Sequence, residues 1–144
     1  MRQNLQAYKK VNIDSNILAS DPHKIIVMMF DGVLQSMSQA KGAIERKDFA
    51  LKSTSMTKSI NILNALRNSL DFTSEPVISQ RFDDLYAYCI DQLHGISVNL
   101  NAEGIDEVIS LLKPLRDAWF DMPEESKKEG LSLLEERNKL TQGA

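Results

Sequence analysis

The sequence predicts an all-α protein, an antiparallel up-down four-helix bundle, and three observations predict it. Apolar side chains recur at alternating spacings of four and three along stretches of about 20 residues, the period of a helix with one buried stripe. Short polar or proline-containing links separate those stretches. Only six glycines and four prolines occur in 144 residues, too few turn formers for a sheet protein with many hairpins. Helices of ~20 residues are each ~30 Å long and, joined by short links, bury their stripes only by packing in alternating directions.

The elements follow in order. Residues 1–20 are expected to form an N-terminal arm, either a short helix or an extended segment. They lack a sustained period but hold Leu5, Tyr8, Val11, Ile13, Ile17 and Leu18, more large apolar groups than a disordered tail usually carries. The bundle is expected over 21–121. Ser20 or Asp21 can cap the first long helix and Pro22 suits its first position. Ile26, Phe30, Val33, Met37, Ala40 and Ile44 then form one stripe, ending near Arg46. The second helix starts near Asp48, with Phe49, Met56, Ile60, Leu63, Leu66 or Arg67, and Leu70 on one face. It ends before the turn-like segment from Phe72 to Pro76. The third is expected from about Ser79 to Leu100, with Phe82, Tyr86, Cys89, Leu93, Ile96 and Leu100 buried. The fourth runs from about Ala102 to Phe120 and carries Ile105, Val108 or Ile109, Leu112, Leu115 and Trp119; Pro114 should bend it locally. Residues 122–144, with Leu131, Leu134 and Leu140, read as a weak C-terminal helix or tail.

Composition narrows the function. Forty-two per cent of residues are hydrophobic, enough for one core. Seventeen basic against 20 acidic residues give a formal charge of −3, and without clustered cations this does not predict a nucleic-acid partner. The longest apolar run, Ile25 to Phe30, is far below the ~20 residues that span a bilayer, so no membrane insertion is expected. The polar start of the chain does not read as a signal peptide, and a single cysteine fits a reducing compartment. The expected location is cytoplasmic.

Material for catalysis is thin. His23 follows a proline in a first helical turn and is expected to be solvent-exposed. Asp91 and His94 have the spacing that could begin a metal site, but a di-iron bundle needs a second such pair, and Ser20 stands where its carboxylate would be. Cys89 lies on a core stripe and reads as a small buried hydrophobe. The glycines are scattered, so no phosphate loop forms. Asp83-Asp84 and Glu124-Glu125 point to different helix faces and suit solubility and first-turn dipole compensation. Lys127-Lys128 is too short for an electrostatic patch. The protein is therefore read as not an enzyme, with no cofactor and no metal.

What stands out is apolar excess. From Ile25 to Phe30 six successive residues are apolar, whereas a bundle core uses roughly three positions in seven. Ile62, Leu85, Tyr88, and the pairs Val108-Ile109 and Leu111-Leu112 add to it. One reading is a wide core closed by the arm and the last helix. The other is a groove for an amphipathic partner segment, with the arm residues Tyr8, Ile13 and Ile17 as a displaceable lid.

The residues also resemble a known family, the FliS-type flagellin export chaperones, from about Ala7 to Trp119. The resemblance begins at Ala7-Tyr8 and continues through Ser20-Asp21-Pro22-His23-Lys24-Ile25-Ile26-Val27-Met28-Met29-Phe30-Asp31-Gly32-Val33-Leu34. Ala40-Lys41, Lys58 to Leu63 and Leu66 to Asp71 are similar to the next part. Leu85-Tyr86-Ala87-Tyr88, Glu107-Val108 and Leu111 to Trp119 complete it in order. The resemblance implies a four-helix bundle that binds the disordered C-terminal segment of flagellin, prevents premature polymerisation, and delivers it to the flagellar type III export gate. It also implies that Tyr8 belongs to an arm capping the groove. Apolar excess at motif positions makes Ile25, Met28, Met29, Tyr88, Leu111 and Leu112 the candidate groove residues. Asp31-Gly32 is expected to serve helix packing, and Arg116 and Trp119 to anchor the bundle end. Asp91-Gln92 departs from the family's basic pair and Ser97 from its usual Asn, so no electrostatic contact is carried over there. The free protein is expected to be a monomer or weak homodimer. A metal-bearing bundle enzyme and a purely structural self-assembling bundle are the alternatives.

Overall fold

The structure, a computed structural model, describes residues 21–122. The expected arm, with Tyr8, Ile13 and Ile17, and the expected terminal helix lie outside the described residues. Within them the chain forms four helices, α1 (Pro22–Arg46), α2 (Phe49–Asn68), α3 (Pro76–Asn99) and α4 (Ala102–Phe120). Each packs on its neighbours in a closed ring, α1 on α2, α2 on α3, α3 on α4 and α4 on α1. This is the expected all-α four-helix bundle.

Local chemistry sets the boundaries. The Asp21 side chain accepts from the Lys24 N–H (3.2 Å), with Pro22 following as a first-turn residue that needs no N–H partner. Asp48 caps α2 through the Leu51 N–H (3.1 Å), and Asn101 caps α4 through that of Gly104 (3.3 Å). α3 starts at Pro76, a turn earlier than Ser79. Its entry is fixed by Asp71, whose carboxylate accepts from the Thr73 and Ser74 N–H groups, while the Ser79 hydroxyl donates to the Asp71 carbonyl. α1 and α3 both end on a left-handed residue, Lys47 (φ 60°) and Leu100 (φ 55°). Each turns the chain back with a single further residue before the next helix, which forces the antiparallel arrangement.

The α1 stripe is buried throughout. On α2 the buried face is rotated from the expected one: Ile62 is core, and Phe49 is half exposed. The cause lies at Ser55 and Ser59, both buried. The Ser59 hydroxyl meets that of Ser36 at 2.6 Å and bonds the Ser55 carbonyl at 2.9 Å. These bonds satisfy the hydroxyls in the interior, and the small serine side chains let α2 approach α1 at Ser36. On α3 the expected stripe holds from Tyr86 to Ile96, with Phe82 half-buried and Leu100 turned out at the helix end. α4 runs as one helix through Pro114.

Candidate functional site

The four seams of the bundle differ in what holds them. α1 and α4 are joined by Lys41–Asp106 (2.8 Å), by Arg116–Asp31 (2.7 Å) and by the His23 Nε2–H donating to the Trp119 carbonyl. α2 and α3 are joined by a two-point Arg67–Asp83 pair (2.8 and 3.2 Å) and by Lys52 Nζ on the Ser97 carbonyl (3.2 Å). α1 and α2 share the serine contact. Among the described residues, no side-chain hydrogen bond or ion pair links α3 to α4.

That seam is tight at the end where α3 leads into α4. At Gly104 a Cβ would stand 2.8 Å from Cγ1 of Ile96, so only glycine lets the start of α4 come this close to the end of α3. Helical repeats then carry the seam away from this pinned end. Ile78 and Leu85 lie 18 and 11 residues before Ile96, on the same side of α3; Leu111 lies seven after Gly104 on the matching side of α4, with Leu115 one turn on. Leu85, Leu111 and Leu115 are half-buried, and Ile78 is half exposed. Tyr88 stands at the solvent rim, 44% exposed. Trp119 lies at the far end of α4, its ring 5.4 Å from that of His23 on α1. The result is an apolar strip whose floor includes Cys89, fully buried. Burial pushes the Cys89 thiol up to about 11, away from nucleophile chemistry, and raises the Tyr86 phenol as well.

The structure separates the six candidate groove residues. Tyr88 and Leu111 flank the α3–α4 seam. Ile25 and Met28 are half-buried on the side of α1 that carries Gly32 and Ser36, hence along the α1–α2 seam across the bundle. Met29 and Leu112 are 1% and 0% exposed; both are core, because their positions fall within the inward stripes of α1 and α4. Periodicity missed Ile78 and Leu115 as lining, although the seven-residue step from Ile78 to Leu85 was a signal for it.

Two further expectations change. His23 is buried, 6% exposed, because Trp119 and its carbonyl cover it. Asp83 sits two turns inside α3 and pairs with Arg67, so it does not compensate a first turn. Arg116 and Trp119 do lie at the bundle end, Arg116 also 4.6 Å over the Phe120 ring. Asp91 and His94 are both exposed. Among the described residues no group of three His, Cys, Asp or Glu could hold a metal ion, and no helix is long and apolar enough to cross a membrane.

Comparison with known proteins agrees in its extent. Residues 4–126 match the family described as flagellar protein FliS. The chain is 31% identical over 125 residues to the flagellar secretion chaperone FliS of Vibrio cholerae, covering 87% of this chain and 92% of that relative. It is 32% identical over 116 residues to the flagellar secretion chaperone FliS of Salmonella typhimurium, covering 80% and 86%. The Bacillus subtilis protein of the same name is 24% identical over 115 residues, covering 80% and 85%.

Proposed function

The chain belongs to the FliS family of flagellar proteins, and from that premise we propose that it is a cytoplasmic flagellar secretion chaperone. Its client is the disordered C-terminal segment of flagellin, held from premature polymerisation and passed to the flagellar type III export gate. The observation that carries the reading is the apolar strip between α3 and α4, with Leu85, Leu111 and Leu115 only half covered and Tyr88 at its rim. A disordered amphipathic segment gains by burying its apolar face there, and the ~2–5 kcal/mol cost of ordering it leaves the complex reversible. Release therefore needs no nucleotide chemistry. Tyr8, Ile13 and Ile17 are assigned to an arm that covers the client surface until it is displaced. Ile25 and Met28, across the bundle, are assigned to a second stretch of contact along the α1–α2 seam.

Titrating a flagellin C-terminal peptide into the purified protein tests this reading. A stoichiometric complex by calorimetry, with a gain in peptide helicity by circular dichroism, is the expected result. No heat and no helicity at tens of micromolar would overturn it. Light scattering with and without the peptide separates the chaperone from a self-assembling bundle, which would form the same oligomer in both cases.

A further inference from the structure

We infer that the bundle is a jaw: α1 and α2 form a fixed spine, and α3 and α4 part along their common seam, pivoting at Ile96–Gly104. The distribution of polar ties leads there. α4 is fastened to α1 at three points along its length, Asp106, Arg116 and the Trp119 carbonyl. α3 is fastened to α2 at Asp83 and Ser97, and to the α2–α3 link through Ser79. The spine is joined in its interior by the Ser36–Ser59 contact (2.6 Å). Parting α3 from α4 breaks none of these bonds and costs only apolar contact; parting any other pair strips hydrogen bonds from buried or half-buried groups.

The pivot is equally specific. The Gly104–Ile96 contact is tight, and the Asn101 N–H donates to the Ile96 carbonyl at 3.2 Å. Leu100 and Lys47, the left-handed residues of the two short links, lie at this same end. Toward the other end Phe82, Leu115 and Trp119 are only half-buried. Opening of this kind is a sub-global event that leaves the rest of the molecule folded. Resting on the function proposed above, the seam is also the mouth by which the client segment enters.

The protein carries its own probe, because Cys89 is its sole cysteine, is fully buried, and shares the α4-facing side of α3 with Ile96 seven residues on. Its labelling by a small aromatic disulfide reagent should proceed by seam opening, far faster than global unfolding allows and with little dependence on urea. A Cys89→Ala, Ala40→Cys variant, whose thiol lies on the spine side, should label only with the urea dependence of global unfolding. Labelling of Cys89 with that same global dependence overturns the jaw. A flagellin C-terminal peptide at ten times its Kd should slow Cys89 labelling about tenfold. If the peptide binds and the rate is unchanged, the seam is not the mouth. If the peptide does not bind, the proposed function fails, while labelling of the free protein still decides whether the jaw exists.

Discussion

The imidazole of His23, in the first turn of α1, donates from Nε2 to the main-chain carbonyl of Trp119 in the last turn of α4, 96 residues later in the chain. The rings lie 5.4 Å apart at 41°. One side chain thus gives a carbonyl in α4's last turn a second donor beside the Met122 N–H (3.4 Å) and packs on the indole. His23→Ala should destabilise the protein by about 1 kcal/mol in urea unfolding, since it removes the shorter of two hydrogen bonds to a part-buried carbonyl and the ring contact with Trp119. His23→Gln, which keeps a donor at similar reach, should recover part of that. A His23→Ala variant as stable as the parent would show that the contact contributes nothing.

The ion pairs should differ with their exposure. Arg67–Asp83 is bonded at two points, with side chains 35% and 20% exposed, whereas Asp106 of the Lys41 pair is 56% exposed. Double-mutant cycles should give a coupling of about 1 kcal/mol for Arg67–Asp83 and a smaller, more salt-sensitive value for Lys41–Asp106.

Glycine replacements separate flexibility from fit. Gly95 has nothing within 4 Å of an added Cβ, so Gly95→Ala should stabilise by about 0.5–1 kcal/mol through helix propensity. The same change at Gly104 drives a methyl into Ile96 and should be neutral or destabilising. Thermal melts of the two variants decide it, and equal gains would show that the α3–α4 approach is not tight.

Alkaline pH should destabilise the protein in a defined window. Cys89 rises from 9.0 to about 11 on folding, so the native state holds its proton more firmly than the unfolded state. That stability is complete below pH 9 and lost as pH climbs from about 9 to 11, on the order of 2 kcal/mol, with Tyr86 adding to the loss above pH 10. Cys89→Ala should flatten the first part of the curve in urea melts taken between pH 8 and 11.

A charge placed on one wall of the strip should distinguish the two seams. Leu111→Asp is expected to weaken binding of a flagellin C-terminal peptide about 100-fold by leaving a carboxylate against an apolar partner. Ile25→Asp, across the bundle, should cost less, about tenfold or below. Calorimetry on variants with unchanged circular dichroism reads the difference; the reverse order would move the main contact to the α1–α2 seam.

Fold and stripes were legible in the sequence because helical period is a local property. The α1 stripe from Ile26 to Ile44 and the α3 stripe from Tyr86 to Ile96 lie where spacing puts them. What spacing does not carry is the identity of a neighbour. Nothing near His23 announces Trp119, and nothing near Asp83 announces Arg67. The turned face of α2 was hidden because its buried positions include Ser55 and Ser59, which read as polar until the facing Ser36 is known. For the same reason apolar excess did not tell Met28 from Met29 or Leu111 from Leu112, the second of each pair being core. Only the packing tells a sealed methionine from a half-covered leucine.

An even number of alternating rods returns the chain to the side from which it set out. Residues 21 and 122 therefore lie at the same end, and among the described residues the opposite pole is made by the Lys47–Asp48 and Leu100–Asn101 bends. A fluorophore, affinity handle or solid support attached at those bends would stand some 35 Å, about the length of α1, from residues 21 and 122. The bundle could be anchored there with the His23–Trp119 end facing outward.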